Sequence, residues 1–228
     1  MVATAARSAS GWRARFYHIG RISIFAILAA CLALGIGVRS PLADPKFIIA
    51  AFGDSLTAGY GLSAADAFPV RLESALRKAG KRVRVINAGV SGDTTAGGRA
   101  RLGWVLADKP DAVIVELGAN DAMRGIDPAE TSRNLAVILQ VLKRRGIRVL
   151  LAGMLAPPNL GDRYAEAFNA IYPELAAAYD VPLYPFFLDG VAAIPALNQP
   201  DGIHPTAEGV ERIVKGILPY VVRVVEAE

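Results

Sequence analysis

Short, strongly apolar runs alternate with longer amphipathic segments along most of this chain, and this alternation constrains its fold more than any other feature. The apolar runs are four to six residues long and rich in β-branched side chains, as is typical of strands buried on both faces. The segments between them have the period of helices that bury one face. Regular alternation of strand and helix predicts parallel strand pairing, with helices on both faces of the sheet.

Five strands and five helices follow from this pattern and predict a three-layer α/β/α sandwich around a five-stranded parallel sheet. The strands are expected at Phe47–Phe52, Val83–Asn87, Ala112–Leu117, Val149–Met154 and Val181–Tyr184, and the helices at about 68–79, 95–107, 128–145, 163–179 and 206–225. Asp127 before Pro128 is typical of a helix N-cap followed by proline, and Thr206 is a second candidate cap. Residues 44–228 are long enough for one domain with its own core.

The first 43 residues have a different composition, with five arginines and no acidic residue. A basic start followed by an uncharged apolar stretch, here from Ile22 to Val38, is typical of an export signal. We expect cleavage near Ala43 and a periplasmic or secreted protein. Retention as a membrane anchor is the alternative, because the stretch approaches the length of a transmembrane helix. Cys31 ends a sequence similar to a bacterial lipobox, so it is either lipidated or one more apolar residue of the signal.

Charge and cysteine content exclude several classes of function for residues 44–228. Five of the chain's 25 Lys and Arg residues lie in the first 43 positions, which leaves 20 basic and 21 acidic side chains in the later segment. Such a balance gives no basic surface of the kind that binds nucleic acid. No cysteine follows Cys31, so intramolecular disulfides and thiolate metal sites are excluded from this segment.

Polar clusters follow the predicted strands at the points where the strands end. Residues 53–55 follow the first strand, residues 91–94 come shortly after the second, and residues 118–121 follow the third. Because ligands bind beyond the carboxyl ends of parallel strands, we expect these clusters to meet at one edge of the sheet. Asp201 and His204 precede the last helix and must reach the same edge if they act together with these clusters.

Three residues in these clusters have the side chains that acyl transfer to water requires. His204 is the one histidine beyond the first 43 residues, since the other, His18, lies within them. Asp201, three residues earlier, can accept the Nδ1–H of this ring and leave Nε2 free to act as a base. The hydroxyl of Ser55 is the expected nucleophile.

Donors for the negative charge of a tetrahedral intermediate are also present. We expect the backbone N–H groups of Ser55 and Gly92 and the side-chain amide of Asn120 to form an oxyanion hole. The Gly-x-Ser-x-Gly elbow of α/β-hydrolases is absent, which indicates a different class of serine hydrolase. Structural alternatives are a helix cap for Ser55 and a turn for Asn120. Asp54, Asp93 and Asp121 are interpreted as groups that hold loops by hydrogen bonds, and a divalent-cation cluster is the alternative.

A set of ordered motifs spans the segment after residue 43. The motifs are FGDSLTAGYG at 52–61, SGDT at 91–94, VELGAND at 115–121, YAEAF at 164–168 and DGIHP at 201–205. With them the chain resembles the SGNH (GDSL) hydrolases, whose four blocks centre on residues that correspond here to Ser55, Gly92, Asn120 and His204. Within that family it is most similar to the branch of thioesterases, lysophospholipases and arylesterases. It departs from that branch at Ala119, where a second glycine is common.

The resemblance implies a flavodoxin-like sandwich that hydrolyses fatty-acyl esters and thioesters through a covalent acyl-enzyme, without metal or organic cofactor. The expected substrate-binding residues are Leu56, Ala119, Asp121, Met123, Pro157 and Tyr164. The apolar residues 155–158 either line an acyl groove or only cover the sheet. We expect a monomer whose partners are small acyl esters or thioesters such as aryl esters, acyl-CoA and lysophospholipids. Contact with membrane lipid is a further expectation, through the first 43 residues or the basic run 143–145. This run is interpreted first as a solvated helix end, and the alternative is contact with anionic lipid headgroups or with the phosphates of coenzyme A.

Three other functions stay open at this point. A short-chain or carbohydrate O-deacetylase of the same fold would differ in its preference for acetyl groups. A metal-assisted hydrolase would need a cluster of carboxylate ligands, because only one histidine is available after residue 43. A non-catalytic lipid-binding domain would be expected to have lost a catalytic side chain, whereas all of them are present.

Overall fold

The computed structural model describes residues 47–227, all of which belong to one compact unit. The strands are β1 Phe47–Gly53, β2 Val83–Gly89, β3 Ala112–Glu116, β4 Arg148–Ala152 and β5 Leu183–Tyr184. The helices are α1 Ser55–Ala58, α2 Phe68–Lys78, α3 Thr95–Ala107, α4 Ala119–Met123, α5 Pro128–Arg144, α6 Asp162–Tyr179 and α7 Ala207–Glu226. Single 3₁₀ turns occur at Ala64–Asp66, Pro158–Leu160 and Pro195–Leu197.

The sheet is parallel throughout, with the strand order β2-β1-β3-β4-β5. β1 pairs with β2 on one side, Phe47 opposite Val83, and with β3 on the other, Ile49 opposite Ala112. The chain therefore builds the sheet outward in both directions from the β1–β3 pair. This pair is the topological switch point, beyond which parallel sheets of this kind bind their ligands.

Two groups of helices enclose the sheet. Helices α2 and α7 pack against each other, and α5 packs against both α3 and α6. The central strands between them are apolar on both faces: β3 is buried along its whole length, and Val113, Val115 and Leu150 are fully buried. Removal of this apolar surface from water, at about 25 cal/mol per Å², is the main favourable contribution to folding.

The predicted fold class is confirmed, and each of the five predicted strands and five predicted helices is present within a few residues of its expected bounds. Asp127 and Thr206 cap α5 and α7 as expected, since their side chains accept hydrogen bonds from Ala129 N and Gly209 N. The predicted strand ends were wrong at β5, which is shortened to two residues. The reason is that Pro182 and Pro185 flank it, and proline has no N–H for a strand ladder.

Two short helices, α1 and α4, were not predicted. They contain four and five residues, which is too short for a helical period to show in the sequence. One residue separates β1 from α1 and two separate β3 from α4, and the two helices carry Ser55 and Asn120. The Asp54 carboxylate caps α1 by accepting from Leu56 N, and Gly59, with φ of 84°, ends it.

The predicted signal or anchor, its boundary near Ala43 and the lipidation site at Cys31 lie outside the described residues. From residue 47 to residue 227, no helix combines the length and the apolar character needed to cross a membrane.

Candidate active site

The polar segments expected at the carboxyl edge of the sheet do meet there. Ser55 Oγ lies 2.9 Å from His204 Nε2, although 149 positions separate these residues in the sequence. Asn120, after β3, donates from Nδ2 to Asp54 Oδ2 at 3.0 Å. Gly92, after β2, is joined to the end of α4, the helix that carries Asn120, because Arg124 Nη2 donates to the carbonyl oxygen of Gly92 at 2.8 Å. The sheet order therefore brings the ends of β1, β2 and β3 together with the loop before α7.

Ser55 is the first residue of α1 and is only 7% exposed. Its position depends on a very close approach of the chain at Gly53. A Cβ at Gly53 would lie 2.2 Å from Thr57 Oγ1 and 2.3 Å from Glu116 Oε2, so no larger residue fits without movement. The sharp strand-to-helix junction places the serine hydroxyl at the end of the sheet and at the N-terminus of α1.

His204 is held from its other nitrogen by Asp201. The Nδ1–Oδ2 distance is 2.7 Å, and Asp201 Oδ1 accepts from Ile203 N at 2.9 Å and His204 N at 3.0 Å. These hydrogen bonds, with that from His204 N first, lower the pKa of Asp201 from 3.8 to about 2. An ionised carboxylate only accepts, so Nδ1 carries the ring proton and Nε2 can accept the Ser55 hydroxyl proton.

Three groups were proposed from the sequence as oxyanion donors, namely the N–H groups of Ser55 and Gly92 and the side-chain amide of Asn120. Asn120 is 7% exposed and uses one Nδ2 hydrogen on Asp54, which leaves the second hydrogen for another acceptor. Gly92 has φ of 80°, a conformation that residues other than glycine seldom adopt. Within residues 47–227 the N–H of Gly92 donates to no protein group. The Ser55 N–H is at the N-terminus of α1, where helical N–H groups lack partners inside the helix.

A second buried carboxyl group, Glu116, lies beneath Ser55 and was missed in the sequence. Its Oε2 accepts from Thr57 Oγ1 at 2.6 Å and Asp54 N at 3.4 Å, while Oε1 has no partner in the described part of the chain. Burial raises the pKa of Glu116 well above its ordinary value, and the neighbouring Asp54 raises it further. Burial also raises the pKa of Asp54, to about 6. We therefore assign the proton near neutral pH to Glu116 and the charge to Asp54. The sequence did contain a signal for Glu116, because a charged residue at the end of an otherwise apolar strand is unusual.

An apolar cavity of about 310 Å³ adjoins Ser55. Four of the predicted substrate-binding residues line it, namely Leu56, Ala119, Met123 and Pro157. Side chains that were not predicted also line it, among them Met154, Phe186, Leu188 and Ile203. Residues 155–158, for which the sequence left two alternatives, all belong to this lining. The cavity can take up a hydrocarbon group next to the serine hydroxyl.

Two of the predicted substrate-binding residues do not line this cavity. Asp121 is buried and accepts hydrogen bonds from Thr95 N at 2.8 Å, from Thr95 Oγ1 and from Thr131 Oγ1 at 3.1 Å, which fixes the start of α3. Tyr164 donates from its hydroxyl to Ile126 O at 2.8 Å. Both side chains hold the loops around the cavity instead of facing into it. Residues 47–227 contain no group of three or more His, Cys, Asp or Glu side chains with the spacing of a metal site.

Comparison with known proteins gives three close similarities. The chain is 41% identical to esterase TesA of Pseudomonas aeruginosa over 194 residues, which cover 85% of this chain and 95% of the relative. It is 45% identical to thioesterase 1/protease 1/lysophospholipase L1 of Escherichia coli K12 over 171 residues, 75% of this chain and 79% of the relative. The crystal structure of AlinE4, an SGNH-hydrolase family esterase, superimposes with a TM-score of 0.67 at 53% identity, over 79% of this chain and 97% of AlinE4.

The similarity also extends to a whole protein family. The sequence model of the GDSL-like lipase/acylhydrolase family matches residues 51–212, which include every residue of the site described above. Two curated relatives, a solved esterase structure and the family pattern all agree with this match. The chain belongs to the GDSL-like lipase/acylhydrolase family.

Proposed function

We propose that this protein hydrolyses fatty-acyl esters and thioesters through a covalent acyl-enzyme on Ser55. The observation that carries the proposal is the chain of short contacts Ser55 Oγ–His204 Nε2 and His204 Nδ1–Asp201 Oδ2, at 2.9 and 2.7 Å, beside an apolar cavity. The names of two relatives, an esterase and a thioesterase/lysophospholipase, support the same class of substrate.

In the acylation step, Ser55 Oγ attacks the carbonyl carbon of the substrate while its proton passes to His204 Nε2. The carbonyl oxygen becomes an oxyanion, which the Ser55 and Gly92 N–H groups and the free Nδ2 hydrogen of Asn120 stabilise. Collapse of the tetrahedral intermediate breaks the bond to the leaving alcohol or thiol. The imidazolium of His204, stabilised by Asp201, returns its proton to that leaving group.

In the deacylation step, water replaces the leaving group at the same site. His204 Nε2 accepts a proton from the water as its oxygen attacks the acyl carbon, and the same donors stabilise the second oxyanion. The bond to Ser55 Oγ then breaks, and the proton on His204 returns to the serine. The fatty acid leaves, and the free serine and the neutral imidazole are restored.

The preference for fatty-acyl groups is argued from the cavity. Its lining is mostly apolar, and each methylene group removed from water contributes about 0.8 kcal/mol to binding. A carbohydrate acetyl ester would leave most of this surface without a partner. A longer acyl chain in the cavity would therefore raise kcat/KM, up to the chain length at which the cavity is filled.

Export, lipid contact and a monomeric state are further parts of the proposal. The basic and apolar composition of residues 1–43 supports export to the periplasm or beyond, with this segment either removed or kept as an anchor. Met123, Leu155 and Ile203 are 46%, 48% and 44% exposed at the mouth of the cavity. An apolar rim of this kind favours contact with a lipid surface from which a lysophospholipid could enter.

The test is a chain-length series with the full-length protein. Hydrolysis of p-nitrophenyl esters from acetyl to palmitoyl and of acyl-CoA thioesters would be measured for the wild type and for Ser55→Ala. We expect kcat/KM to rise with chain length beyond acetyl and to be abolished in the variant. A preference for acetyl esters would instead favour a deacetylase, and activity that survives in Ser55→Ala would disprove the proposed nucleophile.

A further inference from the structure

The stretch that carries Asp201 and His204, here called the histidine loop (residues 197–206), is closed on itself by backbone hydrogen bonds. Gln199 N donates to His204 O at 2.7 Å, and Thr206 N donates to Leu197 O at 2.9 Å. Gly202 N donates to Gln199 O at 2.9 Å. These bonds fix the internal shape of the loop, but none of them fixes its distance from Ser55.

The stretch that carries Ser55, here called the nucleophile segment (residues 53–61), is joined to this loop by the side chain of Gln199. Gln199 Nε2 donates to Tyr60 O at 2.7 Å and to Pro205 O at 2.9 Å. Tyr60 N in turn donates to Ser55 O at 3.1 Å, so the connection continues to the backbone of Ser55 itself. In the part of the chain that the structure describes, the only other hydrogen bond between the two stretches is the Ser55–His204 bond.

The Gln199 amide is held in one orientation by its surroundings. Both Nε2 hydrogens have carbonyl partners, one in each stretch. Its Oε1 packs against Gly61, where φ is 72° and an added Cβ would lie only 2.1 Å from that oxygen. The Tyr60 ring lies against the His204 ring, with centroids 4.5 Å apart, so displacement of the Tyr60 backbone would also disturb the imidazole.

From this geometry we infer that Gln199 is a positioning residue that keeps His204 Nε2 at hydrogen-bond distance from Ser55 Oγ. Gln199 contacts none of the reacting groups and acts only through the two carbonyl groups that it joins. A misplacement of about 1 Å between reacting groups lowers rates by about 100-fold, so the loss of this link is expected to affect catalysis. The inference rests on Ser55 and His204 as the reacting pair of the proposed function.

The first experiment compares two glutamine substitutions in the full-length chain. Gln199→Met keeps the length of the side chain and removes both donors, whereas Gln140→Met makes the same change on the exposed face of α5, far from the site. We expect kcat for a p-nitrophenyl ester to fall about 10- to 100-fold in Gln199→Met, with KM within about 2-fold of wild type. Gln140→Met is expected to match the wild type in both constants.

The second experiment separates positioning from general destabilisation. Gln199→Met is combined with His204→Ala, and the residual activity is compared with that of His204→Ala alone. If Gln199 acts through His204, the second substitution has no further effect, because the group it positions is already absent. A folding defect would lower the activity of both backgrounds by the same factor.

The possible results are distinct. A kcat within 2-fold of wild type in Gln199→Met, or an equal proportional loss in the His204→Ala background, would overturn the role of Gln199. A rise in KM with unchanged kcat would also overturn it, since it would indicate a substrate contact. Full activity of both Ser55→Ala and His204→Ala would instead overturn the proposed reacting pair itself, independently of Gln199.

Discussion

The two halves of the site are held in place by different forces. In the nucleophile segment, Asp54 and Thr57 are fully buried and Ser55 nearly so, with Glu116 packed beneath them. In the histidine loop, Asp201, Gly202 and Ile203 are exposed, and hydrogen bonds within the loop and from Gln199 maintain its shape. Burial therefore fixes the nucleophile, whereas hydrogen bonds near water fix the base. We expect substitutions in the first region to change stability and those in the second to change mainly activity.

The largest effect is expected from Asp201→Asn. The amide oxygen can still accept from Ile203 N and His204 N, but its NH₂ group cannot accept the Nδ1 proton, so the imidazole loses the tautomer that leaves Nε2 free. By analogy with the equivalent change in serine proteases, kcat falls about 10⁴-fold. The urea unfolding midpoint at pH 7 should stay close to that of the wild type. A large loss of stability would show that the histidine loop is as integral to the fold as the nucleophile segment.

Gly53→Ala is expected to lower stability, whereas Asp201→Asn lowers activity and leaves stability nearly unchanged. The new methyl group would meet Thr57 Oγ1 at 2.2 Å and the backbone oxygen of Glu116 at 2.7 Å. Since the backbone cannot yield without disturbing the β1–β3 pair, the free energy of unfolding should fall by about 3 kcal/mol or more.

Gly103→Ala is the matched control for that substitution. Gly103 lies within α3, and a Cβ there would meet nothing within 4 Å. Alanine in this helical position should raise the free energy of unfolding by about 0.5–1 kcal/mol. Urea denaturation of both variants tests the contrast. Equal stability of Gly53→Ala and the wild type would mean that the nucleophile segment is not rigidly packed.

A smaller effect is expected in the pH dependence of stability from Asp54. Its pKa is raised from 3.8 to about 6 in the folded chain, so the folded state binds this proton more tightly than the unfolded state. The contribution of Asp54 to stability is therefore fully present below about pH 4 and is lost as the pH rises to about 6. In the wild type the urea unfolding midpoint should therefore fall between pH 4 and 6, and in Asp54→Asn this fall should be smaller. Asp108→Asn, at the exposed end of α3, should show the same fall as the wild type.

The smallest effect is expected from Asp201 in acid, and its sign is reversed. Its pKa is lowered to about 2, so its contribution to stability is present above about pH 4 and is lost as the pH falls through 2. Asp201→Asn should reduce the slope of the urea midpoint in that range only. The effect is small because the carboxylate is exposed and solvent screens it. Equal slopes in the variant and the wild type would indicate that the hydrogen bonds to Asp201 do not persist in solution.

Much of this site was predictable from residue types and their order. Ser55, Gly92 and Asn120 each follow a strand of a parallel sheet, and the carboxyl ends of such strands share one edge. Asp201 and His204 are close in sequence, so their contact depends only on local geometry. Glu116 and Gln199 could not be recognised in this way, because each acquires its role from a partner at least 59 positions away. Asp121 had two interpretations from the sequence, as a substrate-binding residue and as a group that holds loops. Its hydrogen bonds with Thr95 and Thr131 fix its carboxylate away from the cavity and agree with the second interpretation.

The sequence by itself determined the strands, the long helices, the parallel sheet and the side chains available for chemistry, because periodicity and capping act over a few residues. Only the tertiary structure decided which of these side chains face one another. The 2.9 Å contact between Ser55 and His204 and the burial of Glu116 beneath Asp54 depend on how β1, β3 and α7 pack, and the shape of the apolar cavity depends also on the loops after β4 and β5. Packing is a property of the whole folded chain, since the position of each element is set by contacts with elements distant in sequence.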